Sequence, residues 1–249
     1  MGLDLRICHL YPDLLNLYGD RGNIAVLVRR ARWRGIAVEV AEVTAGAPLR
    51  AGAYDLYFIG GGEDRQQVLA ARDLQSGKGE ALREAVEAGA VLLAVCGGYQ
   101  LMGHFYRPAE GADLPGVGLL DLTTIHPGKR RPRLIGNIVV RWEPPAPGKP
   151  STLVGFENHG GRTRLGPGAR PLGRVLAGGG NNGEDGTEGA VYRHAFGTYL
   201  HGPLLPKNPW FADHLIALAL RRRHGEAPLD PLDDGPEAAA HQAALKRTR

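Results

Sequence analysis

The first hundred residues alternate between short apolar runs and longer amphipathic stretches. Leu3 to Leu10 is an apolar-rich run with the make-up of a strand, and it ends in YPDLLNLYGDRGN, where Pro, Gly and Asp mark a loop. From Asn23 to Arg34, Ile24, Leu27, Val28 and Ala31 recur at helical spacing, with Gly35 as the stop. Ile36 to Val43 reads as a second strand, in which Val38 and Val40 alternate with Ala37 and Glu39. Asp55 to Ile59 makes a third, cut short by Gly60-Gly61-Gly62. A polar helix over Gly79 to Ala88 leads through Gly89 into AVLLAV, a wholly apolar run suited to a central parallel strand. Strand alternating with helix predicts an α/β fold whose central sheet is mostly parallel, flanked by helices, with ligands at the carboxyl ends of its strands.

The second half has a different rhythm. Leu134 to Trp142, Thr152 to Phe156 and Ala190 to Phe196 are β-like pieces separated by Pro- and Gly-rich connections, which predicts antiparallel additions to the sheet. AGGGNNGEDGTEG, from Ala177 to Gly189, reads as a flexible hairpin loop. Asn208-Pro209 opens a helix over WFADHLIALALRRRHG, with Pro at its first position and arginines in its last turn. Beyond Gly225 the chain turns polar and Pro-rich, ending in HQAALKRTR, which has helical character. The expected organisation is one domain over residues 1–225 and a C-terminal tail over 226–249, either a docking element or plain disorder.

Composition narrows the class. With 249 residues, 43% of them apolar, the chain can bury the core of one large α/β domain. No run approaches the roughly 18 to 20 apolar residues that span a bilayer, so the expected location is the cytoplasm. Two cysteines, Cys8 and Cys96, are too few for a disulfide framework and lack zinc-ligand spacing. The net charge of +4 comes from 30 basic residues scattered among 26 acids. The densest basic clusters, Lys129-Arg130-Arg131 with Arg133 and Arg221-Arg222-Arg223, read as solvated surface and helix end rather than a nucleic-acid stripe.

The most informative segment is VLLAVCGGYQLMGHF, in which an apolar strand runs directly into Cys96 and then into a helix. This is the pattern of a nucleophile elbow: the sharp turn crowds the positions two before and two after the nucleophile, and these are Ala94 and Gly98, both small. A thiol at a helix N-terminus is favoured as thiolate, and the following glycines free backbone N–H groups for an oxyanion. A thiol nucleophile needs a base, for which His201 in FGTYLHGPLL is the leading candidate because it sits at the end of a strand-like run, where parallel-sheet sites assemble. His9 and His159 remain rivals; His104, His214 and His224 sit on helices that point them elsewhere.

Together with YPDLLNLYGDRGN, IGGGEDRQQ, RLIGNIVV, GFENHGGRT, GGGNNGEDGTEGAVY and LDDGPEAAAH, these two segments run in order from Tyr11 to His241. The set resembles the class I glutamine amidotransferases of the cobyric acid synthase branch, and within it the glutaminase subunits of lipid II isoglutaminyl synthases. The resemblance implies that Cys96 attacks the glutamine side-chain carbonyl and that His201 protonates the leaving amine and then activates water. It implies an oxyanion hole from Gly61 or Gly62 together with Gly97, a glutamine-contacting Gln100, and an Arg133 that clamps the substrate α-carboxylate. One departure stands out. The acid commonly found two residues after the histidine is replaced by Pro203, which makes a Cys-His dyad the main reading, with Asp20 or a carboxylate of the partner as alternative orienting groups.

Ammonia joins a carboxylate only after that carboxylate is activated, and the chain holds no phosphate loop, kinase-like set or metal cluster. A separate synthetase is therefore implied, with ATP and Mg bound there and no cofactor expected in this chain. The resemblance makes that partner a MurT-like Mur-ligase homologue in a heterodimer, amidating the D-glutamate of lipid II during peptidoglycan biosynthesis. Two other readings stay open: a cobyrinic-acid-type acceptor, and an amidotransferase-like module that binds without catalysis.

Overall fold

The computed structural model describes residues 2–128, 130–142 and 151–248; Lys129 of the first basic cluster lies outside them. Elements of the first half follow the expected order with one helix, α2, added: β1 (Asp4–Leu10), α1 (Arg21–Arg32), β2 (Ala37–Val43), β3 (Leu56–Ile59), α2 (Asp64–Asp73), α3 (Gly79–Glu87), β4 (Val91–Val95) and α4 (Gly97–Leu101). Then come β5 (Phe105–Arg107), β6 (Leu114–Pro115), β7 (Leu122–Ile125), β8 (Leu134–Arg141), β9 (Thr152–His159) and β10 (Arg162–Leu165). The chain closes with β11 (Gly173–Ala177), β12 (Thr187–Glu188), β13 (Ala190–Tyr192), β14 (Ala195–Thr198), α5 (Pro209–His224) and α6 (Gly235–Thr248).

The main sheet has the order β13-β14-β4-β3-β1-β2. Five of its strands are parallel, and β13 alone runs antiparallel, against β14. Every residue of β3 and β4 is buried, because helices cover both faces of a parallel sheet and its central strands become continuous apolar runs. α5 packs on β1, β3, β4 and α1 with Phe211, Leu215, Ile216 and Leu220 buried. The chain leaves β1 toward β2 on one side and returns to β3 on the other, so the loops after β1 and β3 diverge at a topological switch point. Ligand crevices of such sheets open there.

The second half departs from the expected pattern in three ways. Its strands mostly form two further four-stranded sheets, β10-β7-β5-β6 and β12-β11-β8-β9, antiparallel except where β5 pairs with β7, rather than extending the main one. The run Ala190 to Phe196 is two arms of a hairpin turning at Arg193, whose φ of 48° is left-handed; no Gly or Pro signals this turn. Ala177 to Gly189 is a built loop: the N–H groups of Gly179 and Gly180 donate to the buried Glu157 carboxylate at 2.6 and 2.8 Å. α2 and the short strands β5 to β7 and β10 had no counterpart in the apolar pattern.

The C-terminal segment lies against the domain, where α6 contacts β8, β9 and the 3-10 turn Leu205–Lys207. The buried Arg30 guanidinium bridges Asp213 at 2.7 Å and Asp234 at 2.6 Å.

Candidate active site

Cys96 sits between β4 and α4 with φ 50° and ψ −107°, a conformation costly for a residue with a Cβ and held here by its surroundings. Its N–H donates to Thr198 O at 2.8 Å, which continues the β4–β14 ladder, and the Gly98 N–H donates to Gly60 O at 3.0 Å. A Cβ at Gly98 would lie 2.8 Å from both Ile59 O and Gly60 O, so only glycine fits two residues past the elbow.

His201 follows β14 by three residues, at the same carboxyl edge. Its backbone exchanges hydrogen bonds with Phe156 of β9, donating at 2.8 Å and accepting at 3.2 Å, which fixes the loop beyond the strand. The imidazole is fully buried, and its Nδ1 faces Asp20 Oδ1 at 3.7 Å. Burial alone would lower the His201 pKa, but Cys96 and Asp20 together outweigh it and push it up to about 10. The site therefore holds an imidazolium beside Cys96 and a buried carboxylate.

Gly61 passes between these groups: a Cβ there would be 3.0 Å from His201 Cε1 and 3.1 Å from Cys96 Cβ. Its own N–H is taken by Asp20 Oδ2 at 2.7 Å, which removes it as an oxyanion donor. The Gly61 carbonyl accepts from Leu17 N–H at 3.1 Å. Because C=O and N–H point oppositely across a trans peptide, this bond turns the Gly62 N–H toward the elbow. Gly62 N lies 3.0 Å from where a Gly97 Cβ would be. Neither Gly62 N–H nor Gly97 N–H has an acceptor among the described residues.

Cys96, Gln100 and Arg133 line one cavity of about 400 Å³, shared with Gly62, Gln67 and His159. Gln100 is buried, one turn into α4, with Nε2 donating to Tyr199 Oη at 3.2 Å. Arg133 stands on the rim and donates from Nε to Asn158 Oδ1 at 2.9 Å and from Nη2 to Asn158 O at 3.1 Å. His159 stacks on Tyr199 with centroids 3.5 Å apart and is hydrogen-bonded through Nδ1 to Gly161 O. Burial drives its pKa down to about 3, so it stays neutral. His9 packs on Phe58 and does not line the cavity.

Sequence reasoning overlooked Gln67, whose Nε2 donates to Gly62 O at 3.0 Å and so steadies the glycine loop. The QQ pair after the glycines was its only trace. Asn158 was also overlooked, although it lies within the quoted GFENHGGRT.

A strained cysteine on an elbow at the carboxyl edge of a parallel sheet, facing a buried histidine beneath a glycine loop, defines a class I cysteine amidotransferase site. The chain belongs to the CobB/CobQ-like glutamine amidotransferase domain family, whose pattern matches residues 6–209. It is 43% identical to the subunit GatD of the glutamine-hydrolyzing lipid II isoglutaminyl synthase of Staphylococcus aureus (strain N315), over 98% of this chain and 96% of the relative. With the GatD of Streptococcus pneumoniae (strain ATCC BAA-255 / R6) identity is 39%, over 89% of this chain and 83% of the relative. A cobyric acid synthase of Pelotomaculum thermopropionicum is 36% identical, but the match covers only 41% of its length. Solved structures agree on the fold. One glutamine amidotransferase superposes with a TM-score of 0.58 at 16% identity, covering 85% of this chain and 98% of the other. That of Thermotoga maritima gives 0.53 at 17%, covering 98% and 97%.

Proposed function

We propose that this chain is the glutamine-hydrolysing subunit of a lipid II isoglutaminyl synthase, releasing ammonia for an ATP-dependent, Mur-ligase-like partner. The observation that carries this is the Cys96–His201 pair on its strained elbow, in a chain that spans 96% of the S. aureus GatD it resembles. The 41% coverage of the cobyric acid synthase disfavours a tetrapyrrole acceptor. The setting is the cytoplasm; among the described residues no helix is long and apolar enough to cross a membrane.

The chemistry follows from the geometry. The Cys96 thiolate attacks the amide carbon of glutamine, whose α-carboxylate is held by Arg133 and whose side chain lies along Gln100. The developing oxyanion is received by the N–H groups of Gly62 and Gly97. His201, as imidazolium, gives its proton to the leaving nitrogen; the C–N bond of the tetrahedral intermediate breaks, ammonia departs and a thioester remains. The neutral imidazole then takes a proton from water, whose oxygen attacks the thioester, releasing glutamate and restoring both groups.

The test is amidation of lipid II by the chain with its synthetase. Cys96→Ala is expected to abolish amidation from glutamine while leaving amidation from ammonium at the parent rate. Glutamine-dependent amidation surviving the substitution would reject the assignment.

A further inference from the structure

Glutamine carries two charges on one carbon, so whatever receives its α-ammonium must stand beside Arg133, which takes the α-carboxylate in the glutaminase reading. Among the described residues the cavity is lined by three charged side chains, Arg133, Glu63 and Asp64, since His159 is neutral. Asp64 opens α2 directly after the glycine loop and is exposed where it meets the cavity. The buried Tyr106 of β5 donates its hydroxyl to Asp64 Oδ1 at 3.3 Å, and Oδ2 has no protein donor among the described residues. The Tyr106 ring in turn meets Gln100 across Gly161, where a Cβ would lie 2.8 Å from Gln100 Nε2 and 3.5 Å from Tyr106 Cε2. Asp64 and Arg133 act on the same neighbours with opposite signs. Burial does most to raise the Tyr106 pKa, Asp64 adds to it and Arg133 opposes it; burial lowers that of His126, which Asp64 counters and Arg133 reinforces. A fixed anion and a fixed cation thus face one region of the cavity that Cys96 also lines.

We propose that Asp64, held by Tyr106, receives the α-ammonium of glutamine and so makes the site select an α-amino acid amide over an amide that carries only the carboxylate. This rests on the glutaminase reading. Arg133 alone cannot tell the two apart, because both present the same carboxylate. The ammonium needs an acceptor of its own, and a hydrogen bond with charge on both partners is the strong kind. Glu63 is the other acid on the cavity wall, but its carboxylate makes no capping hydrogen bond to α2, whereas that of Asp64 is fixed from β5. The contact is made alike in ground and transition state, so it lowers KM and leaves kcat alone.

The experiment is Asp64→Asn in the full chain with its partner, assayed for hydrolysis of glutamine and of glutaramate, which is glutamine with the α-ammonium replaced by hydrogen. With glutamine, KM is expected to rise about 10- to 100-fold with kcat within about threefold. With glutaramate, kcat/KM is expected to be no lower in the variant than in the parent, since no ammonium is there to lose. An unchanged KM for glutamine overturns the proposal. So does an equal loss on both amides, the mark of a helix start that merely shapes the cavity, and so does a loss that appears in Glu63→Gln and not in Asp64→Asn. If Asp64→Asn does not fold, Tyr106→Phe leaves the carboxylate and removes its hold: a KM for glutamine raised about threefold or more with glutaramate unaffected supports the proposal, and parent KM or a loss shared by glutaramate overturns it. If the parent complex hydrolyses neither amide, the glutaminase reading falls, and calorimetric binding decides the role of Asp64: glutamine held more weakly by the variant supports it, while equal binding, or none by the parent, overturns it.

Discussion

Three glycines and a cysteine define the site because each occupies a position where a side chain has no room or a backbone angle has no ordinary tenant. Cys96 carries its strain at φ 50°, and the hydrogen bonds that Cys96 N–H and Gly98 N–H donate to Thr198 O and Gly60 O hold the turn. Gly61 separates His201 from Cys96, which makes it a sensitive position of simple chemistry. Gly61→Ala is expected to lower kcat by about 10- to 100-fold through displacement of His201 or Cys96 by a few tenths of an ångström, with the melting temperature nearly unchanged. Steady-state kinetics beside a melting curve check this; parent kcat would show that the gap closes without consequence. The raised His201 pKa sets a sign as well. With the imidazolium as the proposed general acid, glutamine hydrolysis is expected to hold through neutral pH and to fall as pH rises through about 10. Cys96 was legible because its elbow is local: strand, cysteine and small flanking residues lie within a few positions. Asp20 was only one of several acids, since nothing near it in sequence records the distance to His201.

The elbow helix α4 is five residues long, too short to hold itself in place, so neighbouring elements must brace it. Tyr99, buried on this helix, donates its hydroxyl to Asn181 Oδ1 at 3.0 Å; Asn181 belongs to the Gly-rich loop between β11 and β12. That loop is pinned by Glu157 of β9, and Asn181 also accepts from Gly189 N–H at 3.0 Å. Asn181→Ala strands a buried tyrosine hydroxyl and a backbone N–H. It should lose on the order of 2 kcal/mol of stability, and fractionally more activity than a surface alanine, read by urea denaturation and glutaminase rate. An unchanged denaturation midpoint would mean the loop is a bystander. Composition alone made this loop look flexible, because glycine and asparagine are what a mobile loop contains; its order comes from a carboxylate twenty residues upstream.

Across the whole molecule, the main sheet, the sheet of β9 and the C-terminal helix meet around the loop that carries His201. β9 bridges its backbone, the 3-10 turn Leu205–Lys207 follows it, and α6 covers both. His241 joins these pieces: its Nδ1 donates to Lys207 O at 2.9 Å, its Nε2 pairs with Thr152 Oγ1 at 2.9 Å, and its ring meets Trp210 edge-on. Deleting residues 226–249 uncovers Trp210 and removes Asp234 from the buried Arg30. A loss on the order of 2 to 4 kcal/mol is expected, measured as a fall in the denaturation midpoint; an unshifted midpoint would make the segment dispensable to the fold. The sequence by itself determined the parallel half of the molecule, the elbow at Cys96 and the class of chemistry. Those follow from apolar periodicity, glycine placement and steric limits acting over a few residues. Only the tertiary structure decided which carboxylate faces His201, which glycine N–H is taken up by Asp20, and how the later strands divide among sheets. Each of those depends on groups far apart in the chain meeting at an ångström's tolerance, which no local pattern encodes.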